Sequence, residues 1–394
     1  MSGKRPTVLA LGSGITLLGV LRALARKDVD VLALPDADRA TRRSRWYRPA
    51  PSELSGMTTD MLADRVTLLP AGTILMPCSD IWARAVSALP AGVRERYPAS
   101  VPPLSALETL VDKGRFRATL ERLRLPHPAT RLMTSVSDLD TVPENILQSS
   151  FLKPAHSQQF FARFGVKAFR ITDASIAHAR LAECIAGGFQ MMLQEYIPGP
   201  PTNHYFVDGF IDRDGVVRAL FARRRLRMSP PDFGNSTYQV SVPLSDTGDA
   251  VATLRTLFAE LGYRGIFSAE FKRDARDDEF NLIEVNARPW WYVDFAARCG
   301  VNVCDLAVRD ALGQPVDSIV GYAVGRRCVF PYYDLDAIRE QTAAGGVGLL
   351  ELASSWVGPY QPVFRWSDPL PAVGEVLALA IGRLRRIGKA RQRR

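Results

Sequence analysis

Two glutamates and an asparagine are the first residues of this chain whose types and spacing suit chemistry. Residues 265–292 read GIFSAEFKRDARDDEFNLIEVNARPWWY. Two apolar runs, 266–272 and 280–286, flank a polar turn and predict a β-hairpin. Alternation puts Ser268, Glu270 and Lys272 on one face of the first strand and Phe267, Ala269 and Phe271 on the other. On the returning strand Glu284 and Asn286 share a face, with Cα atoms about 6.6 Å apart. Phe280 and Leu282 are expected on that same face, covering it. A register that sets Glu270 beside Glu284 gathers two carboxylates and an amide oxygen. Such hard donors, with no His or Cys, suit Mg²⁺ first and Mn²⁺ second. Like charges side by side destabilise a sheet unless a cation lies between them. Solvated acids on an edge hairpin are the alternative.

Other chemistries are less well supplied. Gly12, Gly14 and Gly19 give G-x-G-x-x-x-x-G, but Leu17 stands where the dinucleotide fingerprint needs its third glycine. Asp36 and Asp38 follow about twenty residues on, where a ribose-binding acid would fall. A nicotinamide site, a plain tight turn and an anion site at the helix N-terminus all stay open. The cysteines (78, 184, 299, 304, 328) and histidines (127, 156, 178, 204) are scattered, with no CxxC. That argues against a disulfide framework and a zinc site. No G-x-S-x-G elbow marks a nucleophile.

These residues must be positioned by a chain of 394 residues, long enough for two or three domains. Hydrophobic residues make up 47% and charged residues 23%, a soluble globular composition. No apolar run approaches the roughly 20 residues of a membrane span. The first residues lack a secretory signal, and few, odd-numbered cysteines fit a reducing cytoplasm. The net charge is +9, of which residues 383–394 carry +7. That stretch is read as a solvated, partly helical tail. Nucleic acid or anionic lipid is the alternative contact, but no aromatics interleave with its charges, so no specific nucleic acid is expected.

Apolar runs at 7–11 and 29–34 enclose the glycine turn and a helix, a βαβ start. A strand at 73–76 runs into a helix capped by Ser79 or Asp80. PASVPPLS (98–105) is a proline-rich boundary. A helix at 108–123, strands at 150–153 and 190–197, and a helix at 174–186 follow. A hairpin joins 205–211 to 216–223 across Asp-Gly, and a helix covers 249–261.

Beside these readings stands a resemblance. EFKRD…FNLIEVNARPWW looks like the metal-binding end of ATP-grasp ligases. LMPCSD (75–80), VDKGRF (111–116), FLKPA (151–155), LQEYIPG (193–199) and RRRLRMSP (223–230) agree in order. The chain resembles that superfamily over about residues 5–310, and within it the carboxylate–amine ligases of the D-aspartate ligase type.

The resemblance implies an α/β and α+β fold. An N-terminal doubly wound (pre-ATP-grasp) domain would span 1–105, a two-lobed ATP-grasp domain 106–313, and a C-terminal extension 314–394. It implies that Lys113 and Lys153 reach the ATP phosphates, and that Glu195, Tyr196 and Ile197 lie at the hinge against adenine. Arg225 and Arg227, two apart on a strand, would hold phosphate or a substrate carboxylate. Arg288 would stabilise the transferring phosphoryl group or the tetrahedral intermediate. Surface lysines, an incidental strand glutamate, a solvated basic face and a structural ion pair are the respective alternatives. Trp290, Trp291 and Tyr292 wall the acceptor pocket or belong to the core.

Two stretches depart from the family. HSQQFFARFGVK has one glycine where a glycine-rich loop is usual. It is expected to fold over the phosphates as a hairpin, with His156, Ser157 and Lys167 as contacts. Pro200-Pro201-Thr202-Asn203 holds no acid for the ribose.

The implied function is ATP-dependent, ADP-forming ligation of a small-molecule carboxylate to an amine through an acyl phosphate, in the cytoplasm, with a homodimer as an open option. A thiol or other acceptor, a non-catalytic nucleotide-binding module and a nicotinamide oxidoreductase are the rivals.

Overall fold

Among the described residues the strands form three sheets. The computed structural model describes residues 5–374 apart from 26, 156, 172, 231–232 and 344–353. His156 and the basic stretch 383–394 lie outside the described residues.

The first sheet forms from buried apolar runs. β1 (Thr7–Leu11), β2 (Asp30–Ala33) and β3 (Ile74–Pro77) are parallel, in the order β2-β1-β3. Val8 and Ala10 pack with Leu17, Val20 and Leu21 of helix Gly14–Leu24. Leu9 and Leu11 pack with Trp82 and Val86 of helix Asp80–Ser87. Helices thus cover both faces, the doubly wound arrangement.

At the glycine turn, a Cβ on Gly12 (φ +146°) would sit 2.9 Å from Cys78 Cβ. Only glycine permits that approach of two strand ends. Asp38 closes the turn, accepting from the backbone N–H of Gly14 (2.6 Å) and Thr41 (2.9 Å). Asp36 accepts from Gly56 N (2.7 Å) and Ser55 Oγ (2.5 Å). Both acids are engaged by their own chain, and a carboxylate already occupies the helix N-terminus. The nicotinamide reading is corrected on this ground.

The second sheet is antiparallel: β4 (Thr130–Met133), β5 (Ser150–Pro154), β6 (Phe169–Arg170) and β7 (Met191–Glu195), ordered β4-β7-β5-β6. Leu152, Phe160, Leu181 and Leu193 centre its core. The third is also antiparallel. It comprises β8 (His204–Ile211), β9 (Val217–Ser229), β10 (Asn235–Val242), β11 (Gly265–Arg273), β12 (Phe280–Asn286) and β13 (Arg327–Val329), ordered β12-β11-β8-β9-β10-β13. One face packs with the first sheet's helix Gly14–Leu24 through Phe210, Phe221 and Ile266. The other packs Phe267, Ala269 and Phe271 with helix Ala250–Leu261.

Several expectations are corrected. The helix expected over 108–123 is two helices, Leu104–Val111 and Lys113–Leu123, because Asp112 leaves helical geometry and caps the second. Its carboxylate accepts from Gly114 N (2.9 Å) and Arg115 N (3.0 Å), as an N-cap does. The stretch expected as a phosphate-covering hairpin is helical at Ser157–Phe164. β4, β6, β10 and β13 went unread: β10 is mostly polar, and the others are too short for alternation to show. Among the described residues no helix is long and apolar enough to cross a membrane.

Candidate active site

The hairpin register brings the acids together. Glu270 of β11 pairs directly with Glu284 of β12, and Ser268 with Asn286. A bulge between the Glu270 and Phe271 pairings shifts the phase of β12. Phe280 and Leu282 are therefore buried in the core with Val285, while Glu284 is exposed toward a cleft. The expectation that Phe280 and Leu282 share the Glu284 face is overturned: the extra residue re-aims the carboxylate.

The two acids differ in environment. Glu270 Oε1 accepts from His204 Nδ1 (2.7 Å) and Arg225 Nη2 (2.9 Å). Burial works to raise its pKa, but the Arg225 charge and the His204 bond outweigh it and hold the carboxyl down at about 2. His204 is pushed down to about 4, by burial first and then by repulsion from Arg225. The ring is therefore neutral near pH 7 and donates through Nδ1. Glu284 accepts from Asn286 Nδ2 (3.2 Å). Asn286 Oδ1 accepts from Arg288 Nη2 (3.1 Å).

A cleft of about 660 Å³ opens between the second and third sheets. Lys113, released by the helix break, donates to Pro154 O (2.6 Å). Lys153, on β5, donates to Gln194 Oε1 (2.7 Å), whose amide donates to Thr130 Oγ1 (2.9 Å). Both lysines line the cleft with Glu270 and Glu284. Burial, then repulsion from Lys113, lowers Lys153 to about 7. Burial also lowers Lys113, and Glu284 opposes that shift. Lys167 reaches across the cleft to Asn235 Oδ1 on β10 (2.8 Å).

At the hinge, β7 ends at Glu195. The N–H groups of Glu195 and Tyr196 donate to Ala129 O and Ser149 O (both 2.8 Å). Both N–H groups are taken by their own chain and are not left over as adenine donors. The Glu195 side chain pairs with Arg276 (2.6 Å). Tyr196 lies against Phe233 and under Lys272 Nζ, 4.4 Å from its ring centre. Asn203 donates to Arg273 O (3.0 Å) within a short turn.

The arginines separate. β9 presents Arg223, Arg225 and Arg227 on one face, each to a different acid. Arg223 pairs with Asp208 (2.7 Å), Arg225 with Glu270, and Arg227 with Asp334. Arg227 donates to Asp334 through Nε (2.9 Å) and Nη2 (2.5 Å), and to Ser355. Its fork is bidentate on a buried carboxylate, and it does not line the cleft. The expected substrate contact is thus corrected to a structural ion pair. Arg288 lines the cleft and forks onto Asp80 (2.8 and 3.0 Å), the first residue of helix Asp80–Ser87, 208 positions away. Trp290 and Tyr292 are buried, and Tyr292 O–H donates to Ser236 O. Trp291 is half-buried against Tyr333. All three line the cleft as well as the core.

His204 and Arg223 escaped the sequence reading, and Asp80 was read only as a helix cap. His204 opens a strand, and only its side-chain distance from Glu270 reveals it. Among the described residues no three His, Cys, Asp or Glu side chains gather as a metal cage. The hard-oxygen set of two opposed carboxylates suits a divalent ion that keeps water and phosphate ligands.

A family model described as "ATP-grasp in the biosynthetic pathway with Ter operon" matches residues 189–327. The chain is 25% identical over 246 residues to a D-aspartate ligase of Enterococcus faecium (strain Aus0004), a match covering 60% of this chain and 58% of that one. It thus matches little more than half of that relative's length. The crystal structure of an L-amino acid ligase from Bacillus licheniformis superposes with a TM-score of 0.55 at 16% identity, covering 79% of this chain and 75% of the other. That of an N5-carboxyaminoimidazole synthetase from Staphylococcus aureus complexed with ADP gives 0.60 at 13% identity, covering 80% of each.

Proposed function

We propose that this chain is a member of the ATP-grasp superfamily and an ATP-dependent, ADP-forming carboxylate–amine ligase. The observation that carries the reading is the direct pairing of Glu270 with Glu284 on the cleft that Lys113 and Lys153 also line. Units at 1–105, 106–313 and 314–394 are part of the proposal. So is a cytoplasmic setting, for which the five free, buried cysteines speak.

The chemistry follows from the side chains. A carboxylate oxygen of the first substrate attacks the γ-phosphorus of ATP, the bond to ADP breaks, and an acyl phosphate forms. The amine nitrogen of the second substrate then attacks the acyl carbon. The bond to phosphate breaks, and the nitrogen loses a proton. Lys113 and Lys153 hold the triphosphate as compact cations. Glu195, Tyr196 and Ile197 hold the adenine. Arg225 and Arg288 offer donors where negative charge develops, while Arg227 acts only by anchoring β9. Glu270 and Glu284 would hold Mg²⁺, with Asn286 joining if its oxygen leaves Arg288, and Mn²⁺ would use the same oxygens. The ion supplies positive charge against the phosphate oxygens. Orienting the reactants supplies much of the remaining acceleration.

The test is ADP release from ATP with pooled amino acids, followed by mass spectrometry of the adduct. An amide product supports the reading. A thioester, or nucleotide binding without ADP release under every acceptor mixture, counts against it.

Nucleotide binding also has a proton signature. Lys153 sits at about 7 in the free protein. Adjacent phosphate oxygens favour its charged form and raise that value. Binding therefore takes up a proton in the window above pH 7, and affinity falls as pH rises through it, by at most about tenfold per pH unit. Titration calorimetry in buffers of different ionisation enthalpy reads the uptake directly. A Lys153→Met variant should lose it.

A further inference from the structure

The first sheet sends one side chain into the cleft. Its order β2-β1-β3 leaves the carboxyl ends of β1 and β3 side by side, at the point where the chain switches direction across the sheet. Open parallel sheets bind ligands in the crevice outside such a switch point. Helix Asp80–Ser87 starts there, just past the end of β3 at Pro77. Its first residue, Asp80, is the only described residue before Leu110 to line the cleft. The platform beneath it is well anchored. Cys78 N–H donates to Leu11 O (2.8 Å), and Ala83 N–H donates to Ser79 O (2.8 Å). Trp82, Ala83 and Val86 are buried in the core.

Arg288 meets this carboxylate from the third sheet. Ala287 and Trp290 on either side of it are buried, which fixes its backbone, but the guanidinium sits at the end of a long flexible stem. That group carries five N–H donors in one plane. Nε and Nη2 fork onto Asp80 Oδ1 and Oδ2 (2.8 and 3.0 Å). Nη2 also donates to Asn286 Oδ1 (3.1 Å), and Nη1 to Pro289 O (3.1 Å). The bidentate fork sets the orientation of the plane. One Nη1 hydrogen has no partner among the described residues, and one Nη2 hydrogen is held by a neutral amide oxygen. A tie between two units is the other use for such a pair, and here it is not needed. Val8 and Leu17 already share one apolar core with Phe210, Ile266 and Trp290. With the Asp80 side chain 44% exposed, the pair adds little to stability.

We propose that Asp80 is a positioning residue for the ligation: it holds the Arg288 guanidinium in the orientation that leaves its remaining N–H donors for the oxygens that gain charge as the acyl phosphate forms and is attacked. The proposal rests on the ligase reading and deepens it, because it gives the N-terminal unit a part in the chemistry. Donors that are fixed beforehand need no reorganisation in the transition state. An interaction made only in the transition state appears in kcat and leaves ground-state binding alone. In that reading ATP is held elsewhere, by Lys113, Lys153 and the hinge. Loss of Asp80 should therefore slow turnover without loosening ATP.

The experiment is a double-mutant cycle on ADP release by the full chain, with radiolabelled ATP so that slow turnover is still read. Asp80→Ala should lower kcat on the order of a hundredfold, the scale of a misplaced catalytic contact. The KM for ATP should stay within about twofold, and the melting temperature should hold because the side chain is half exposed. Arg288→Gln should also lower kcat about a hundredfold. Once Arg288 is gone, Asp80 has nothing left to position, so adding Asp80→Ala should change kcat by less than about twofold. An unchanged kcat, a loss confined to KM, a fall in melting temperature that accounts for the lost turnover, or two losses that multiply in the double variant overturns the proposal. Absence of ADP release from the wild-type chain is a different failure: it removes the ligase reading first, and this proposal with it.

Discussion

Glu284→Gln leaves a folded protein whose turnover falls about a thousandfold, the scale of losing one preorganised electrostatic contact to a developing charge. The carboxylate is exposed to the cleft and accepts a hydrogen bond from Asn286 Nδ2. A glutamine oxygen can accept the same bond, so the substitution removes charge and little else. It also relieves the opposition to Glu270 across the hairpin, and like charges directly opposed on a sheet are destabilising. The melting temperature should therefore hold or rise slightly, while the Mg²⁺ needed for half-maximal ADP release rises. The pair of measurements separates a metal ligand from a structural acid. An active Glu284→Gln enzyme would sink the metal assignment and, with it, the reading of the cleft.

Asp334→Ala is expected to unfold the third sheet's outer edge at a cost of about 3–5 kcal/mol, the scale for breaking a buried ion pair from one side. Asp334 is fully buried and accepts from Arg227, Thr237 Oγ1 (2.6 Å) and Trp356 Nε1 (2.8 Å). Removing it leaves the Arg227 guanidinium buried without its counter-charge. Chemical denaturation followed by far-UV circular dichroism reads the loss. The paired variant Arg227→Met with Asp334→Leu should recover most of it, because replacing a whole buried pair with apolar groups of similar size is often neutral. Recovery of ADP release along with stability would assign Arg227 to structure. Stability recovered without activity would return Arg227 to the substrate.

The two variants mark the divide between what was legible beforehand and what was not. Ser268, Glu270 and Lys272 could be assigned one face because the strand period is two and needs no partner to count. The identity of the acids, with no histidine or cysteine among them, already spoke for a hard divalent ion. Lys113 and Lys153 stood out only through the resemblance of VDKGRF and FLKPA to ATP-grasp segments. Arg225 and Arg227 looked equivalent, and spacing could not tell which would meet Glu270 and which Asp334.

By itself, then, the sequence determined the faces of β11 and the donor chemistry, and its resemblance supplied the order of segments that a phosphate cleft requires. Tertiary structure alone decided that Arg227 is spent on Asp334, 107 residues away, and that Arg288 is held by Asp80. It also decided that a bulge at Glu284 turns that carboxylate out of the core. The physical reason is range. Side-chain alternation is set by backbone geometry within a few residues, whereas the partner a buried charge takes depends on which distant carboxylate folding leaves in the same dry space.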